Sequence, residues 1–294
     1  MNKLKSIINL LKIKHYVKNI VVFIPLVFSL KFLKLNATLE AVIAFIAFDL
    51  IASSVYIFND ILDVENDKLH PVKKFRPIAS GKISIHLAWI LFVLFAISAF
   101  IVALTVNKLV FLSIFLYLIL NILYSLQLKF LPIIDALGIA LGFILRILAG
   151  CFAILVVPSP LVILLTFFTS MFFTFSKRKL EYKLLDDKGL CRKSIKGYNE
   201  TLLNQFVMAN AVLSIAFYIT YMLDSTTIQR TGSEYLFITV IPFTIIIYRL
   251  VFKIYTANDY DDPAEFFYND KTLKILIFTY FIILFIVFYN QLKY

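Results

Sequence analysis

Cysteine is scarce in this chain, with two among 294 residues. Cys151 lies in an apolar run and Cys191 in a basic loop, with no metal-ligand spacing and no obvious disulfide partner. Neither a zinc-stapled fold nor a disulfide scaffold is indicated. No low-complexity segment and no stretch with the composition of a soluble domain interrupts the sequence. The segment from Met1 to Asn19 lacks a small-residue cleavage site and keeps its charges throughout, so no cleaved signal peptide is expected.

Apolar surface is what the chain has in excess. Hydrophobic residues make up 61% and the mean hydropathy is +0.90, whereas soluble domains run at about 45–50% apolar. A soluble fold has too little interior for so much Phe, Ile and Leu; a bilayer does not impose that limit. The net charge of +11 lies between the apolar runs. It is better explained by membrane topology and by anionic lipid or phosphate partners than by nucleic acid.

Nine runs approach the roughly 20 residues that a span requires: 19–35, 39–58, 86–105, 107–125, 131–157, 161–177, 205–222, 235–252 and 272–290. Lipid cannot satisfy the backbone of an open strand, so each is expected to be helical. The third and fourth are separated only by Asn107 and Lys108, a tight hairpin. Leu4, Ile8 and Leu11 recur at helical spacing among lysines, which predicts an interfacial helix within residues 1–18. Twenty-three of the 29 Lys and Arg fall in the N-terminus and the loops near 59–85, 126–130, 177–204 and 249–274. Five fall on the opposite side, and Arg146 sits inside a span. This bias predicts a cytoplasmic N-terminus and an external C-terminus, which requires an odd number of spans. The expectation is a single polytopic domain over residues 1–294 in the cell (inner) membrane, with active-site loops at 59–85 and 177–204 facing the cytoplasm.

The first of these loops carries the chemistry. If the second span continues as a helix, Asn59, Asp63 and Asp67 stack on one face, with Asp60 one position round. Three carboxylates and an amide on adjoining turns repel one another unless a cation joins them. Oxygen-only ligands suit Mg²⁺, whose shell is often completed by water and substrate phosphate. Lys68, Lys73, Lys74 and Arg76 follow at once, and an acidic face beside fixed basic groups is what a polyphosphate site requires. The bland alternative is a solvated acidic helix end. His70 reads as a turn residue beside Pro71 rather than as a ligand.

The run from Asn59 to Asp67, followed by His70-Pro71-Val72-Lys73-Lys74-Phe75-Arg76-Pro77-Ile78-Ala79-Ser80-Gly81, resembles the first signature of the UbiA prenyltransferase superfamily. That resemblance implies an all-α membrane fold, a nine-helix barrel, with Asn59, Asp60, Asp63 and Asp67 holding Mg²⁺ and the donor's diphosphate. Most members also carry a second acidic motif with aspartates about four apart. Here Asp186 and Asp187 are adjacent in a strongly basic loop, so the expected spacing is missing and anions suit the loop better than a second metal.

A donor with an extra phosphate would explain this. The segments Lys14–Asn19, Val22–Leu26, Asp135–Gly138, Leu145–Gly150, Ser176–Arg178 with Glu181, and Asp262–Glu265 are similar to the decaprenyl-phosphate phosphoribosyltransferase branch. One departure is His15-Tyr16, where that branch implies a polar residue followed by Trp. The branch implies transfer of 5-phosphoribose from phosphoribosyl pyrophosphate to a polyprenyl phosphate, catalysed mainly by positioning and electrostatics. Lys18, Lys73, Lys74, Arg76, Lys177 and Arg178, with Glu181 beside them, are the candidates to hold its phosphates. About half of the basic residues of the 177–204 loop serve topology alone.

Arg146 is costly inside a span and either lines a polar cavity near substrate or fixes helix packing through an ion pair. Asp135, eleven residues earlier, shares its face at about 16 Å. Gly138 and Gly142 form a small-residue motif that packing alone explains. An aromatic prenyltransferase of the same superfamily is the first competing function. A transporter or structural membrane protein is the second, though it would more often show ionisable groups in several spans. Homo-oligomerisation is left open by the sequence.

Overall fold

The computed structural model describes residues 3–183, 193–256 and 262–292. Among these residues every regular element is helical, and eight helices are long and apolar enough to cross a membrane. This is a multi-pass membrane protein. In chain order the α-helices are α1 (Lys3–Leu11), α2 (Ile24–Phe28), α3 (Leu35–Leu62), α4 (Val64–Leu69), α5 (Ile85–Val106), α6 (Lys108–Leu126) and α7 (Ile134–Ala153). They continue as α8 (Pro160–Lys183), α9 (Glu200–Leu223), α10 (Ser225–Thr231), α11 (Val240–Thr256), α12 (Glu265–Asn269) and α13 (Lys271–Leu292). The chain forms two compact units, Met1–Lys129 with Ile144–Pro158, and Phe130–Phe143 with Ser159–Tyr294.

In the first unit, α3 is the central element. Ala41, Ala44 and Ala47 are fully buried along it, as are Ala88, Ala99 and Ala103 along α5. Small side chains let helix backbones approach closely where lipid gives no hydrophobic drive to pack. Phe48, Ile51, Ile114 and Tyr117 fill the same core. Gly150 of α7 meets a similar demand: a Cβ there would stand 2.1 Å from the carbonyl oxygen of Val22. A separate apolar cluster of Leu10, Ile57, Ile61, Ile78 and Ile83 joins α1 to the end of α3. The amphipathic α1 is present: Leu10 is fully buried with Ile7 and Leu11 packed beside it, while Ile8 is 44% exposed.

The run 19–35 differs from its expected form. Instead of one long helix it is a 3₁₀ helix over Ile13–Phe23, then α2, then a short 3₁₀ turn over Lys31–Leu33. Leu30 has φ 54°, a left-handed conformation unusual for a non-glycine residue, and it ends α2. Pro25 at the start of α2 has no N–H to continue the preceding helix. The expected hairpin at Asn107 is present. Asn107 caps α6 by accepting from the N–H groups of Leu109 and Val110, at 3.0 and 2.9 Å, and donates its amide to the Phe152 carbonyl at 2.9 Å.

The second unit packs Phe172, Phe175, Leu203, Val207, Leu250 and Phe266 into one core. Its helices are capped by their own polar residues: Asn199 accepts from Leu202 N–H at 2.8 Å, and Asp224 from Thr227 N–H at 3.0 Å. Asp270 accepts from Leu273 N–H at 2.9 Å and also binds Arg249 (2.9 Å) and Lys253 (3.0 Å). Burial alone would raise the Asp270 pKa, but the N–H and the two cations hold it well below the carboxylate range. A depressed folded-state pKa contributes stability above the unfolded value of 3.8 and loses it as pH falls below that. Asp270→Asn is therefore expected to flatten the acid limb of a thermal-denaturation series that starts at about pH 5 and descends. An unchanged acid limb would remove Asp270 from the stabilising set.

Candidate active site

Helix α3 runs through Leu62, so Asn59 and Asp60 sit on its last turn. Asp63 (φ −91°, ψ 3°) breaks the helix, and α4 resumes at once. The break preserves the spacing that the sequence implies. Asn59 Nδ2 donates to Asp63 Oδ2 at 3.0 Å, and the backbone N–H of Asp67 donates to the Asp63 carbonyl at 2.8 Å. Asp60 and Asp67 are buried, while the Asp63 side chain is 26% accessible.

Cationic side chains hold these carboxylates. Asp60 Oδ1 accepts from Lys12 Nζ at 2.7 Å and from Arg76 Nη1 at 3.1 Å. The same Arg76 nitrogen donates to Asp67 Oδ2 at 2.8 Å, and Lys129 Nζ donates to Asp63 Oδ1 at 2.7 Å. Burial lowers the pKa of Lys12, against the opposing pull of Asp60, and raises that of Asp67 in spite of Arg76. Lys73 and Lys74 are exposed on the 3₁₀ turn Lys73–Phe75, and Lys18 is exposed on the 3₁₀ helix. His70 Nδ1 accepts the N–H groups of Val72 and Lys73, at 3.2 and 3.3 Å, which makes it the turn residue that Pro71 suggested.

A polar seam runs on from this face. Tyr16 and Ser53 share a hydrogen bond of 2.7 Å, and Asn19 Nδ2 donates to Asp49 Oδ1 at 2.6 Å. Arg146, buried at 5% exposure, donates to Asn19 Oδ1 (2.6 Å) and Tyr117 OH (2.9 Å). Its guanidinium also lies 4.7 Å from the Tyr117 ring centroid. Within the first unit the intramembrane charge is thus met by Tyr117 and by Asn19, whose amide donates on to Asp49.

Asp135 belongs to a cluster in the second unit with Arg178 and Glu181, and Lys177 lies in the same unit. Arg178 is 1% exposed; its Nε donates to Asp135 Oδ2 at 2.8 Å and its Nη1 to Glu181 Oε2 at 2.6 Å. Ser194 Oγ and Tyr198 OH also donate to Asp135, at 3.2 and 3.3 Å. The Tyr198 oxygen in turn accepts the N–H of Ile133, which is held at φ 68°. Burial pushes the Tyr198 phenol up to about 12. Lys177 pairs with Asp262 at 2.6 Å. Asp186 and Asp187 lie outside the described residues.

The description "UbiA prenyltransferase family" fits the model that matches residues 21–282. The chain belongs to that family. Two relatives are both named decaprenyl-phosphate phosphoribosyltransferase. The one from Mycolicibacterium smegmatis is 31% identical over 80% of this chain and 76% of its own length. The one from Corynebacterium glutamicum is 32% identical over 94% of this chain and 84% of its own. A solved UbiA homolog from Archaeoglobus fulgidus, bound to DMAPP and Mg²⁺, superposes with a TM-score of 0.73. It covers 96% of this chain and 99% of that one at 16% identity, a likeness of fold. The protein is a membrane-bound transferase of the UbiA family.

The donor set suits the divalent metal that the family implies. Asp60 Oδ2 is buried without a hydrogen-bond partner, an oxygen that is costly to leave unmet. Its neighbours on the face offer only oxygen ligands, the preference of Mg²⁺. No three acidic groups converge into a ready cage among the described residues; Lys12, Arg76 and Lys129 stand among them instead.

Lys12 and Lys129 escape a reading of the sequence. Each looks like an ordinary basic residue of a cytoplasmic segment. Only the apolar flanks of Lys129, Leu128 and Phe130, hint that this lysine is buried. Asn19 and Tyr117 give no sequence signal as partners of Arg146, whereas Asp49, an acidic residue inside the 39–58 run, does offer one as its counter-charge.

Proposed function

We propose that this UbiA-family chain transfers 5-phosphoribose from phosphoribosyl pyrophosphate to a polyprenyl phosphate of the decaprenyl type. The observation that carries the reading is the buried acidic face with its orphaned Asp60 oxygen, interleaved with fixed cations. The names of the two relatives support the choice of donor and acceptor.

In this reaction a lipid-phosphate oxygen bonds to the anomeric carbon as the carbon–oxygen bond to pyrophosphate breaks. The leaving pyrophosphate takes the electron pair. The acceptor is already an anion at neutral pH, so no strong general base is needed, and the ribose passes through oxocarbenium-like character. Mg²⁺, when bound, neutralises the leaving pyrophosphate, and Asn59, Asp60, Asp63 and Asp67 would hold it. Lys73, Lys74 and Arg76 in the first unit are the cations for the diphosphate. Lys18 in the first unit, and Lys177 and Arg178 in the second, are the residues proposed to hold the 5-phosphate and the lipid phosphate, with Glu181 orienting Arg178.

The site faces the cytoplasm in this reading, with nine crossings in a single polytopic domain of the cell membrane. The contacts Lys12–Asp60, Tyr16–Ser53 and Asn19–Asp49 support the extra crossing, because they run residues 12–19 antiparallel along α3. A 3₁₀ helix rises about 2 Å per residue, so residues 13–33 are long enough to follow α3 to its far end.

The test is a turnover assay on purified protein in detergent, with labelled phosphoribosyl pyrophosphate, decaprenyl phosphate and Mg²⁺. Label is expected in the lipid phase and is expected to vanish with EDTA. Activity only on a prenyl diphosphate and an aromatic acceptor would instead assign the protein to aromatic prenyl transfer.

A further inference from the structure

We infer that the first unit carries a lipid site at the end remote from the acidic face: a cavity at the start of α3 that takes the headgroup of phosphatidylglycerol. It depends on neither the donor nor the acceptor proposed above.

The start of α3 lies at the opposite membrane surface. Leu35 and Asp60 stand about 38 Å apart along that helix at 1.5 Å per residue, more than the roughly 30 Å of a hydrocarbon core. A cavity of about 650 Å³ lies there, with Lys31, Lys34, Leu35, Asn36, Glu40 and Ile154 in its walls.

Its polar groups are incomplete. Glu40 Oε2 is buried without a hydrogen-bond partner, so neither lysine reaches this oxygen. Lys31 Nζ donates to the carbonyls of Ile154 (2.8 Å) and Leu155 (3.3 Å), just past the end of α7. Both acceptors are neutral, and an ammonium has a third proton to give. Lys34 is exposed. Helix α3 begins without a side-chain cap, which leaves its first N–H groups open to an acceptor. Two ammonium groups against one carboxylate give the cavity one positive charge in excess. The sequence places only five of the 29 Lys and Arg on this side, and the cavity takes two of them.

The occupant must therefore bring a negative charge for the lysines and a donor for Glu40. It must also tolerate an apolar rim, since Leu35 and Leu155 line the cavity and are 72% and 80% exposed. A soluble anion does not use that rim, whereas acyl chains do. Phosphatidylglycerol meets every requirement. Its single negative charge cancels the excess, its phosphodiester oxygens accept from Lys31 and Lys34, and a hydroxyl of its head glycerol donates to Glu40 Oε2. Phosphatidylcholine has the phosphate but no donor. Phosphatidylethanolamine has a donor, but its neutral headgroup leaves the excess charge in place.

Native mass spectrometry of the delipidated full-length protein, released from detergent, tests this with the three lipids on identical acyl chains. The wild type is expected to bind its first phosphatidylglycerol at least about fivefold more tightly than phosphatidylcholine. Lys34→Gln should lose about fivefold, the effect of one basic residue near a membrane surface, and Lys34→Arg should bind as the wild type. Lys108→Gln removes a lysine of the same side outside the cavity and should change nothing. Glu40→Leu, which removes the acceptor, should also weaken phosphatidylglycerol and gives a second reading if Lys34→Gln fails to fold.

Equal affinity for phosphatidylglycerol and phosphatidylcholine would overturn the inference. So would equal losses in Lys34→Gln and Lys108→Gln, which would reduce the preference to diffuse surface charge. A preference for phosphatidylethanolamine that Glu40→Gln abolishes would give the cavity to a zwitterionic headgroup instead. Displacement of the lipid by millimolar glycerol 3-phosphate would make it a site for soluble anions. Turnover enters none of these readouts, so failure here leaves the proposed reaction standing, and failure of that reaction leaves the lipid site.

Discussion

Asp63→Asn should lower turnover by about 10²–10³-fold, the usual loss when one preorganised charge is removed from a transition-state site, while the protein stays folded. Asp63 is the most informative of the three carboxylates because it is the least buried. Its side chain is 26% accessible, against 1% for Asp60 and 5% for Asp67. Asparagine keeps its shape and the acceptor for Lys129 but loses the charge that a metal requires. Asp60→Asn would be harder to interpret, since both Lys12 and Arg76 depend on Asp60. The control is two residues away. Glu65 is 77% exposed and pairs with Lys68 on the surface, an arrangement worth little in water. Glu65→Gln should leave turnover within about twofold, in line with the small effect of an exposed pair. Equal activity in the two variants would reject the assignment of the acidic face as the centre of chemistry.

The parts of this site that were legible in the sequence are those whose partners lie one helical turn apart. Asn59 and Asp63 meet because an α-helix places i and i+4 together, and their hydrogen bond is present although the helix breaks at Asp63. Lys12 and Lys129 reach the same face from 48 and 66 residues away, a separation that local periodicity cannot report. Topology hid them further, because cytoplasmic loops are basic in any case. The membrane class was legible from composition, and the Asn107 hairpin from a single cap.

The helical form of segment 19–35 was not legible for a different reason. Hydropathy measures composition over a window, and it does not register the pitch of the helix or a left-handed residue such as Leu30. For Arg146 the cost of an intramembrane charge was readable, but its hydrogen-bond partners were not. Asp135 shares its helix face, yet α7 gives Asp135 to Arg178 and Arg146 to Asn19 and Tyr117.

The Arg178–Asp135 pair carries the largest expected effect on stability. Both side chains are at most 1% accessible, and removing one partner of a buried pair leaves a charge without water or a counter-ion. Such losses cost about 3–5 kcal/mol. Arg178→Gln and Asp135→Asn should each lower the detergent melting temperature strongly, Asp135→Asn also loosening Ser194 and Tyr198. The double variant should cost much less than the two single losses added together, because neither charge is then stranded. The same series tells whether Arg178 also meets a phosphate. Glu181 occupies its Nη1 at 2.6 Å, and Glu181→Gln leaves the Asp135 contact in place. If Arg178 works only in packing, turnover per folded molecule should survive Glu181→Gln with KM unchanged. If the guanidinium is shared between Glu181 and a substrate phosphate, loss of the competing carboxylate charge should lower KM for the phosphate-bearing substrate. Additive losses in the double variant would show that the two residues do not act as a pair.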